Sequence, residues 1–221
     1  VINKTLLPTY DIFDEYRYFE PNRTFETVKI KGFNIGVAIC EDLWNTGDNP
    51  LYTMTPALQL KDLGAQLIVN IAASPFSYKQ DEERKLVLSD NAMQTKLPIV
   101  YCNHVGAQTE LIFDGGSFFM NTSGEVVHQE SFFEESLMIN HFDATLGDFK
   151  SNPIVEKSKI ALIHDALVLG IKDYFNKLNF RKAVVGLSGG IDSAVIGILA
   201  QRALGSENVF FVLGQPETNF Q

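Results

Sequence analysis

The sequence is poor in cysteine, in basic residues and in long apolar runs. Its two cysteines, Cys40 and Cys102, argue against a disulfide scaffold and fit a reducing compartment. Eighteen basic residues against 27 acidic ones leave a net charge of −9, which argues against nucleic acid or an anionic membrane surface as a partner. No apolar run approaches the roughly 18 residues of a membrane span, and no leader-like segment follows Val1. We therefore expect a soluble, cytoplasmic protein.

Strand-like and helix-like segments alternate through the first 143 residues. Strands are predicted in GFNIGVAIC, LIVNIA and PIVYCNHV, and helices in PALQLKDLGAQ and DEERKLVLSDNAMQTKL. A hairpin that turns at Ser123 and Gly124 and a closing strand, SLMINHFD, follow. This order predicts a layered α/β domain with a mixed sheet.

The segment ATLGDFKSNP interrupts this alternation with Gly, Ser, Asn and Pro. After it, helical spacing of apolar residues runs from Ile154 to about Leu178 and leads into the strand KAVVGL. We predict a first domain over residues 1–148, a linker over 149–155 and the start of a second domain over 156–221.

The strand KAVVGL runs into a turn rich in Ser and Gly and then into a helix, a geometry that binds phosphate through backbone N–H groups and the helix dipole. SGGIDS resembles the loop of the N-type ATP pyrophosphatases, which split ATP into AMP and pyrophosphate. The resemblance implies a doubly wound, Rossmann-like domain that uses ATP with Mg²⁺. Its ATP-binding residues would be Gly186, Leu187, Ser188, Gly189, Gly190, Ile191, Asp192 and Ser193. The alternative is an ordinary turn in which Ser188 and Asp192 only cap the helix.

A second candidate site is GVAICEDLWN, where Cys40 ends a strand at a sharp turn whose backbone N–H groups can stabilise an oxyanion. A nucleophilic thiolate needs a cation and a carboxylate nearby, and the segment upstream offers Lys4 and Glu15. Taken alone, Cys40 is more simply explained as a small buried hydrophobic residue.

Together these segments resemble the glutamine amidohydrolase domains of the carbon-nitrogen hydrolase (nitrilase) superfamily, which use a Glu, Lys, Cys triad. The resemblance implies an α-β-β-α sandwich with Cys40 as the nucleophile and Lys4 as the stabiliser of the tetrahedral intermediate. Glu15 would be an accompanying carboxylate. The family's general-base Glu lies in a segment that would precede Val1, so this sandwich is expected to be incomplete at its N-terminus.

KTLLPTYDIFDEYRYF and NIAASPFSYKQDEER are similar to the glutamine-dependent NAD synthetase branch of that superfamily. By this resemblance Tyr10 and Ser74 would hold glutamine, together with Lys79 or, after a one-residue shift, Gln80. Ser74 could instead form a turn before Pro75. The branch is homo-oligomeric and uses ammonia from glutamine for the ATP-dependent amidation of deamido-NAD (nicotinic acid adenine dinucleotide) to NAD, with release of AMP and pyrophosphate.

Several sequence segments allow more than one interpretation. GAQTELIFDGGSFF would border the glutamine pocket, with Glu110 and Asp114 either functional or in a solvated loop. The four histidines lack metal-ligand spacing, so we expect structural or surface roles for them. The terminal GQPETNFQ has no counterpart in the family. Two other functions compete: a free-standing amidase, and a non-catalytic fragment that lacks the upstream Glu and most of the second domain.

Overall fold

The computed structural model describes residues 1–47, 50–150, 154 and 157–214. The chain forms two compact units: unit 1 consists of Val1–Val105 and Phe113–Glu156, and unit 2 of Gly106–Ile112 and Lys157–Gln221. Most of the predicted linker and all but the first residue of GQPETNFQ lie outside the described residues. Within those ranges no helix is both long and apolar enough to cross a membrane.

Unit 1 is built on a six-stranded sheet. The first four strands of the sheet are β1 Thr27–Ile30, β2 Phe33–Ile39, β3 Leu67–Ala72 and β4 Ile99–Asn103. A separate hairpin of β5 Val105–Gln108 and β6 Leu111–Asp114 follows β4. The last two strands of the sheet are β7 Phe118–Met120 and β8 Val126–Gln129. The sheet order is β1-β2-β3-β4-β7-β8. Two helices, α1 (Pro56–Asp62) and α2 (Gln80–Thr95), connect the central strands, and short 3-10 turns lie at Glu15–Arg17 and Cys40–Leu43.

The sheet is mixed, as predicted. β2, β3 and β4 are parallel, with Val37 opposite Val69 and Val69 opposite Val100, whereas β1, β7 and β8 pair antiparallel with their neighbours. The carboxyl ends of the three parallel strands therefore meet at one edge, which is where open α/β sheets bind ligands.

The core of unit 1 lies between this sheet and its two helices. Leu60 of α1 and Leu88 of α2 are almost completely buried, as are Ile68, Ile99 and Met120 of the sheet. Pro56 occupies the first turn of α1, where its missing N–H costs nothing. The apolar residues whose spacing predicted these strands and helices thus form the core.

The predicted closing strand SLMINHFD is wrong over most of its length. Within it only Phe142–Asp143 (β9) forms a strand, which pairs with Asp148–Phe149 (β10) in a two-stranded sheet. Leu137 and Ile139 are 95% and 86% exposed, so their alternation covers no core face. An apolar alternation without a surface to bury gains no stability from strand formation.

Unit 2 contains α3 (Lys159–Lys177), β11 (Ala183–Leu187), α4 (Ile191–Leu204), a 3-10 turn at Ser206–Asn208 and β12 (Val209–Leu213). β11 and β12 are parallel and α4 connects them, which is one β-α-β unit of a doubly wound fold. The helix α3 starts at Lys159 and not at Ile154, because the Ser158 hydroxyl caps it by accepting from the Ala161 N–H.

Candidate active site

Cys40 occupies the first position after β2, at the start of the 3-10 turn. Its backbone φ is +46°, in the left-handed region that residues other than glycine rarely adopt. The Asn70 side chain on β3 donates to the Cys40 carbonyl oxygen at 3.3 Å and supports the turn. Such strained positions cluster at functional sites, since the surrounding structure must maintain them.

The Cys40 thiol is half-buried and lines an open pocket. Burial raises the pKa of Cys40, whereas the Lys4 charge and a backbone hydrogen bond from Ala73 act to lower it. The nearby charges of Glu41 and Glu15 act in the opposite direction to Lys4. Formation of the nucleophilic thiolate therefore depends on the ammonium of Lys4.

Lys4 and Glu15 form a partly buried ion pair. The Lys4 Nζ lies 2.6 and 2.8 Å from the two Glu15 carboxylate oxygens, and the two side chains are 14% and 26% exposed. The Asn22 N–H donates to the Lys4 carbonyl oxygen at 2.9 Å and fixes the extended segment that carries the lysine. Of the three residues predicted to be catalytic, Lys4 and Glu15 are thus in direct contact, and both act electrostatically on Cys40.

Glu41 is a site residue that the sequence analysis missed. It is 4% exposed, and it accepts hydrogen bonds from the Tyr10 hydroxyl at 2.9 Å and from the Tyr52 hydroxyl at 3.1 Å. Burial raises the pKa of Glu41, while both tyrosines act to lower it. The pKa values of Tyr10 and Tyr52 are raised, chiefly by burial and then by the Glu41 charge. The sequence signal that could have identified Glu41 is its position directly after the candidate nucleophile Cys40.

The pocket in front of Cys40 has a volume of about 250 Å³. It brings Cys40 together with Tyr10 and Ser74, two of the predicted glutamine-binding residues. Gln80 also lines it, whereas the Lys79 ammonium lies 5.4 Å from the ring centroid of Tyr78. The complete lining is Pro8, Tyr10, Asp11, Phe13, Cys40, Glu41, Trp44, Ser74, Pro75, Phe76, Ser77, Gln80 and Glu83.

A buried polar network holds Ser74 in this wall. The Asn103 side chain accepts from the Ser74 N–H at 2.9 Å and donates to Asp114 at 2.9 Å. Asp114 pairs with Arg84 through two contacts of 3.2 Å, and both side chains are 0% exposed. Asp114 is therefore not in a solvated loop, whereas Glu110 is exposed at the hairpin turn.

The phosphate-loop candidate in unit 2 is an exposed turn between β11 and α4. Gly189 has a φ of +86°, and α4 begins after Gly190. The Ser193 hydroxyl donates to the Gly190 carbonyl oxygen at 2.9 Å and lies 3.3 Å from the Ser188 hydroxyl. No side chain caps the helix, so the capping alternative for Ser188 and Asp192 has no support from these contacts. The turn leaves backbone N–H groups at a helix N-terminus.

In the described part of the chain, no group of three or more His, Cys, Asp or Glu side chains could hold a metal ion. His104, His141 and His164 lie outside the core, and the His104 ring packs edge-on against Phe113 at 4.8 Å. Cys40 and Cys102 are both free thiols.

A strained cysteine turn at the carboxyl edge of a parallel sheet, with a paired lysine that acts electrostatically on the thiol, is an arrangement suited to nucleophilic attack by a thiolate. The profile of the carbon-nitrogen hydrolase family matches residues 3–151, and that of the NAD synthase family matches residues 163–220. The chain belongs to the carbon-nitrogen hydrolase family, and the start of an NAD synthase domain follows.

Individual relatives that match the chain across both domains identify the family more narrowly. The chain is similar to a glutamine-dependent NAD(+) synthetase of a Synechocystis species, with 41% identity over 96% of this chain and 39% of the relative. A protein of the same name from Thermotoga maritima is 35% identical over 96% of this chain and 42% of its own length. The structure of the glutamine-dependent NAD+ synthetase from Acinetobacter baumannii, in complex with ADP, covers the whole chain with a TM-score of 0.90 and 36% identity.

The chain spans about two fifths of the length of these relatives. The agreement in fold confirms the predicted α/β class: a nitrilase-like domain, followed by the start of the synthetase domain.

Proposed function

We propose that this chain is the glutamine-hydrolysing part, with the start of the ATP-using part, of a glutamine-dependent NAD synthetase. The observation that carries the proposal is the strained Cys40 turn, on whose thiol the paired Lys4 acts electrostatically, in a chain that continues into a Ser/Gly loop before a helix. Relatives that combine both parts carry that name.

In the proposed first reaction, the Cys40 thiolate attacks the side-chain amide carbon of glutamine. The Lys4 ammonium offsets the negative charge of the thiolate and then that of the tetrahedral oxyanion. Ammonia leaves as the C–N bond breaks and a thioester forms, and water then releases glutamate. The resemblance assigns the proton transfers to a glutamate that would precede Val1, while Glu15 holds the lysine.

The pocket has the groups that glutamine requires. Glu41 is a carboxylate fixed by two tyrosine hydroxyls, and it would pair with the α-ammonium group of the amino acid. Ser74 and Gln80, which also line the pocket, offer polar contacts to the rest of the substrate. Of the two alternatives for the third glutamine contact, the pocket lining favours Gln80 over Lys79.

In the second reaction, ATP activates the carboxylate of deamido-NAD as an adenylate, and ammonia displaces AMP to give NAD. The loop from Gly186 to Ser193 would hold the pyrophosphate through its backbone N–H groups and the N-terminus of α4. Mg²⁺ would come with the ATP phosphates, its usual ligands in proteins. We place the enzyme in the cytoplasm, as a homo-oligomer and without nucleic-acid or membrane partners, on the basis of its two free thiols, its net charge and the resemblance.

A free-standing amidase would use the same Cys40 chemistry, but it would not need unit 2. The match of residues 163–220 to the NAD synthase profile favours the synthetase. The non-catalytic alternative predicts an unreactive Cys40, and the pocket in front of this thiol argues against it.

The test is Cys40→Ala in the complete protein. We expect glutamine-dependent NAD formation to be lost, because no thioester can form, and ammonia-dependent NAD formation to persist. NAD is measured with each nitrogen source, and Cys102→Ser serves as the control because this second thiol is exposed and outside the pocket. Loss of both activities in Cys40→Ala would contradict the division of labour.

A further inference from the structure

Asp42 is a buried carboxylate to which the reactions above assign no role. It is 4% exposed and is the third residue of the turn that begins at Cys40. Its Oδ1 accepts from the backbone N–H groups of Thr5 and Leu6, both at 2.8 Å. Its Oδ2 accepts from the N–H of Ile39 at 2.9 Å. Both oxygens are thus held by backbone donors.

The three donors lie beside the two groups assigned to the chemistry. Thr5 and Leu6 directly follow Lys4, and Ile39 directly precedes Cys40. Thirty-seven positions separate Asp42 from Thr5 along the chain, so this contact connects segments that are distant in sequence. Hydrogen bonds from N–H groups to an ionised carboxylate are short and strong, and three on one side chain leave little freedom between the segments.

We propose that Asp42 is a positioning residue that holds the Lys4 segment against the Cys40 turn and so keeps the lysine ammonium next to the sulfur. The inference rests on the proposed function for the roles of Lys4 and Cys40 alone. Among the groups near the thiol, Lys4 favours the thiolate, and Glu41 and Glu15 oppose it. The titratable hydroxyls of Tyr10 and Tyr101 also interact electrostatically with Cys40. A small displacement of Lys4 would leave the two carboxylates dominant.

The test measures, as a function of pH, the rate at which iodoacetamide alkylates Cys40 in the folded protein. Mass spectrometry of the Cys40 peptide separates this thiol from the exposed Cys102. In Asp42→Ala we expect the pH midpoint to rise and the rate at neutral pH to fall about tenfold, equivalent to about one pKa unit. Loss of a negative charge at Asp42 cannot by itself disfavour the thiolate, so a slower reaction reports the lost position of Lys4.

Further variants separate this role from a structural one. Asp42→Asn keeps one acceptor oxygen and should give a smaller decrease, whereas Asp62→Asn, at the exposed end of α1, should give none. Lys4→Met should slow alkylation as much as Asp42→Ala does, and the double variant should be no slower than either one, because both remove the same interaction.

Three results would overturn the inference. Faster alkylation in Asp42→Ala would mean that the aspartate only keeps the turn folded, since an opened turn exposes the thiol. An unchanged rate, or additive effects of Asp42→Asn and Lys4→Met, would mean that the two residues act independently; the Asn variant also covers the case in which Asp42→Ala does not fold. The measurement uses no glutamine, so a failed glutaminase assay would count against the proposed function and not against this inference.

Discussion

Arg84 and Asp114 form an ion pair inside unit 1. Both side chains are completely buried, and the Arg84 guanidinium carbon also lies 5.6 Å from the ring centroid of Tyr101. Burial opposes the charge on Arg84, but Tyr101 and Asp114 keep the pKa of Arg84 raised. A buried charge is tolerable while its partner is present, and its removal leaves the remaining charge without compensation.

We therefore expect Asp114→Ala to lower the free energy of unfolding by about 3–5 kcal/mol, measured by urea denaturation. Asp62→Ala, at an exposed position, should change it by less than about 0.5 kcal/mol. Replacement of both partners, as Arg84→Met with Asp114→Leu, should recover most of the loss because no isolated charge then remains. A double variant as unstable as the single one would disprove this explanation.

Residues whose role depends on distant partners could not be predicted from the sequence, even where, like Glu41 and Asp42, they lie in a recognisable motif. Cys40 was a candidate because a strand ends there at a sharp turn, and the resemblance to the carbon-nitrogen hydrolase superfamily made it the predicted nucleophile. Asp114 stands before two glycines, a pattern typical of a loop, and its partner Arg84 lies in DEERK, which has the composition of an exposed helix face. Asp42 gave no signal either, because two of its three donors lie 36 and 37 residues away.

Among the secondary-structure elements, the periodicity of apolar residues predicted the central strands and both helices of unit 1. It failed where tertiary contacts decide the outcome. Leu137 and Ile139 alternate as in a strand, yet they have no surface to cover. The start of α3 was predicted too early, because helical spacing continues through residues that precede the Ser158 cap.

The packing of β2 against α1 gives a prediction at this scale. A Cβ atom at Gly36 of β2 would lie 3.1 Å from Leu60 Cβ and 3.3 Å from Ala65 Cβ. Gly36→Ala should therefore lower the free energy of unfolding by about 1–3 kcal/mol, since neither neighbour can move easily. Gly186→Ala is the matched control: it is also a strand glycine, and a Cβ there meets nothing within 4 Å. Equal stabilities of the two variants in urea denaturation would show that α1 yields to the added methyl group.

At the scale of the whole molecule, each compact unit contains one candidate site. The cysteine pocket is built from residues of unit 1 only, and the Ser/Gly loop from residues of unit 2 only. Residues 106–112, at the tip of the β5–β6 hairpin, belong to unit 2, where the Ala107 N–H donates to Asp173 at 2.7 Å. The predicted boundary near residue 149 did not foresee this assignment, because the contact joins residues 66 positions apart.

Separate sites predict separable activities. In the complete protein, Asp192→Ala should abolish NAD formation with either glutamine or ammonia, because the substitution alters the first turn of α4 at the proposed phosphate site. Glutamate release from glutamine should continue, since Cys40 and its pocket are unchanged. Both products are measured in the same reaction mixtures, with Glu207→Ala, in the 3-10 turn after α4, as the control. Sustained NAD synthesis by Asp192→Ala would contradict the assignment of the loop.

The parallel arrangement of β2, β3 and β4 also bears on how such a pocket can diversify. Cys40 follows the first of these strands, Ser74 follows the second, and Asn103 ends the third. Insertions in the intervening loops can reshape the opening without any change in strand pairing, and loops tolerate such changes well. The same strand order can therefore keep a cysteine in place while the loops around it vary in length and sequence.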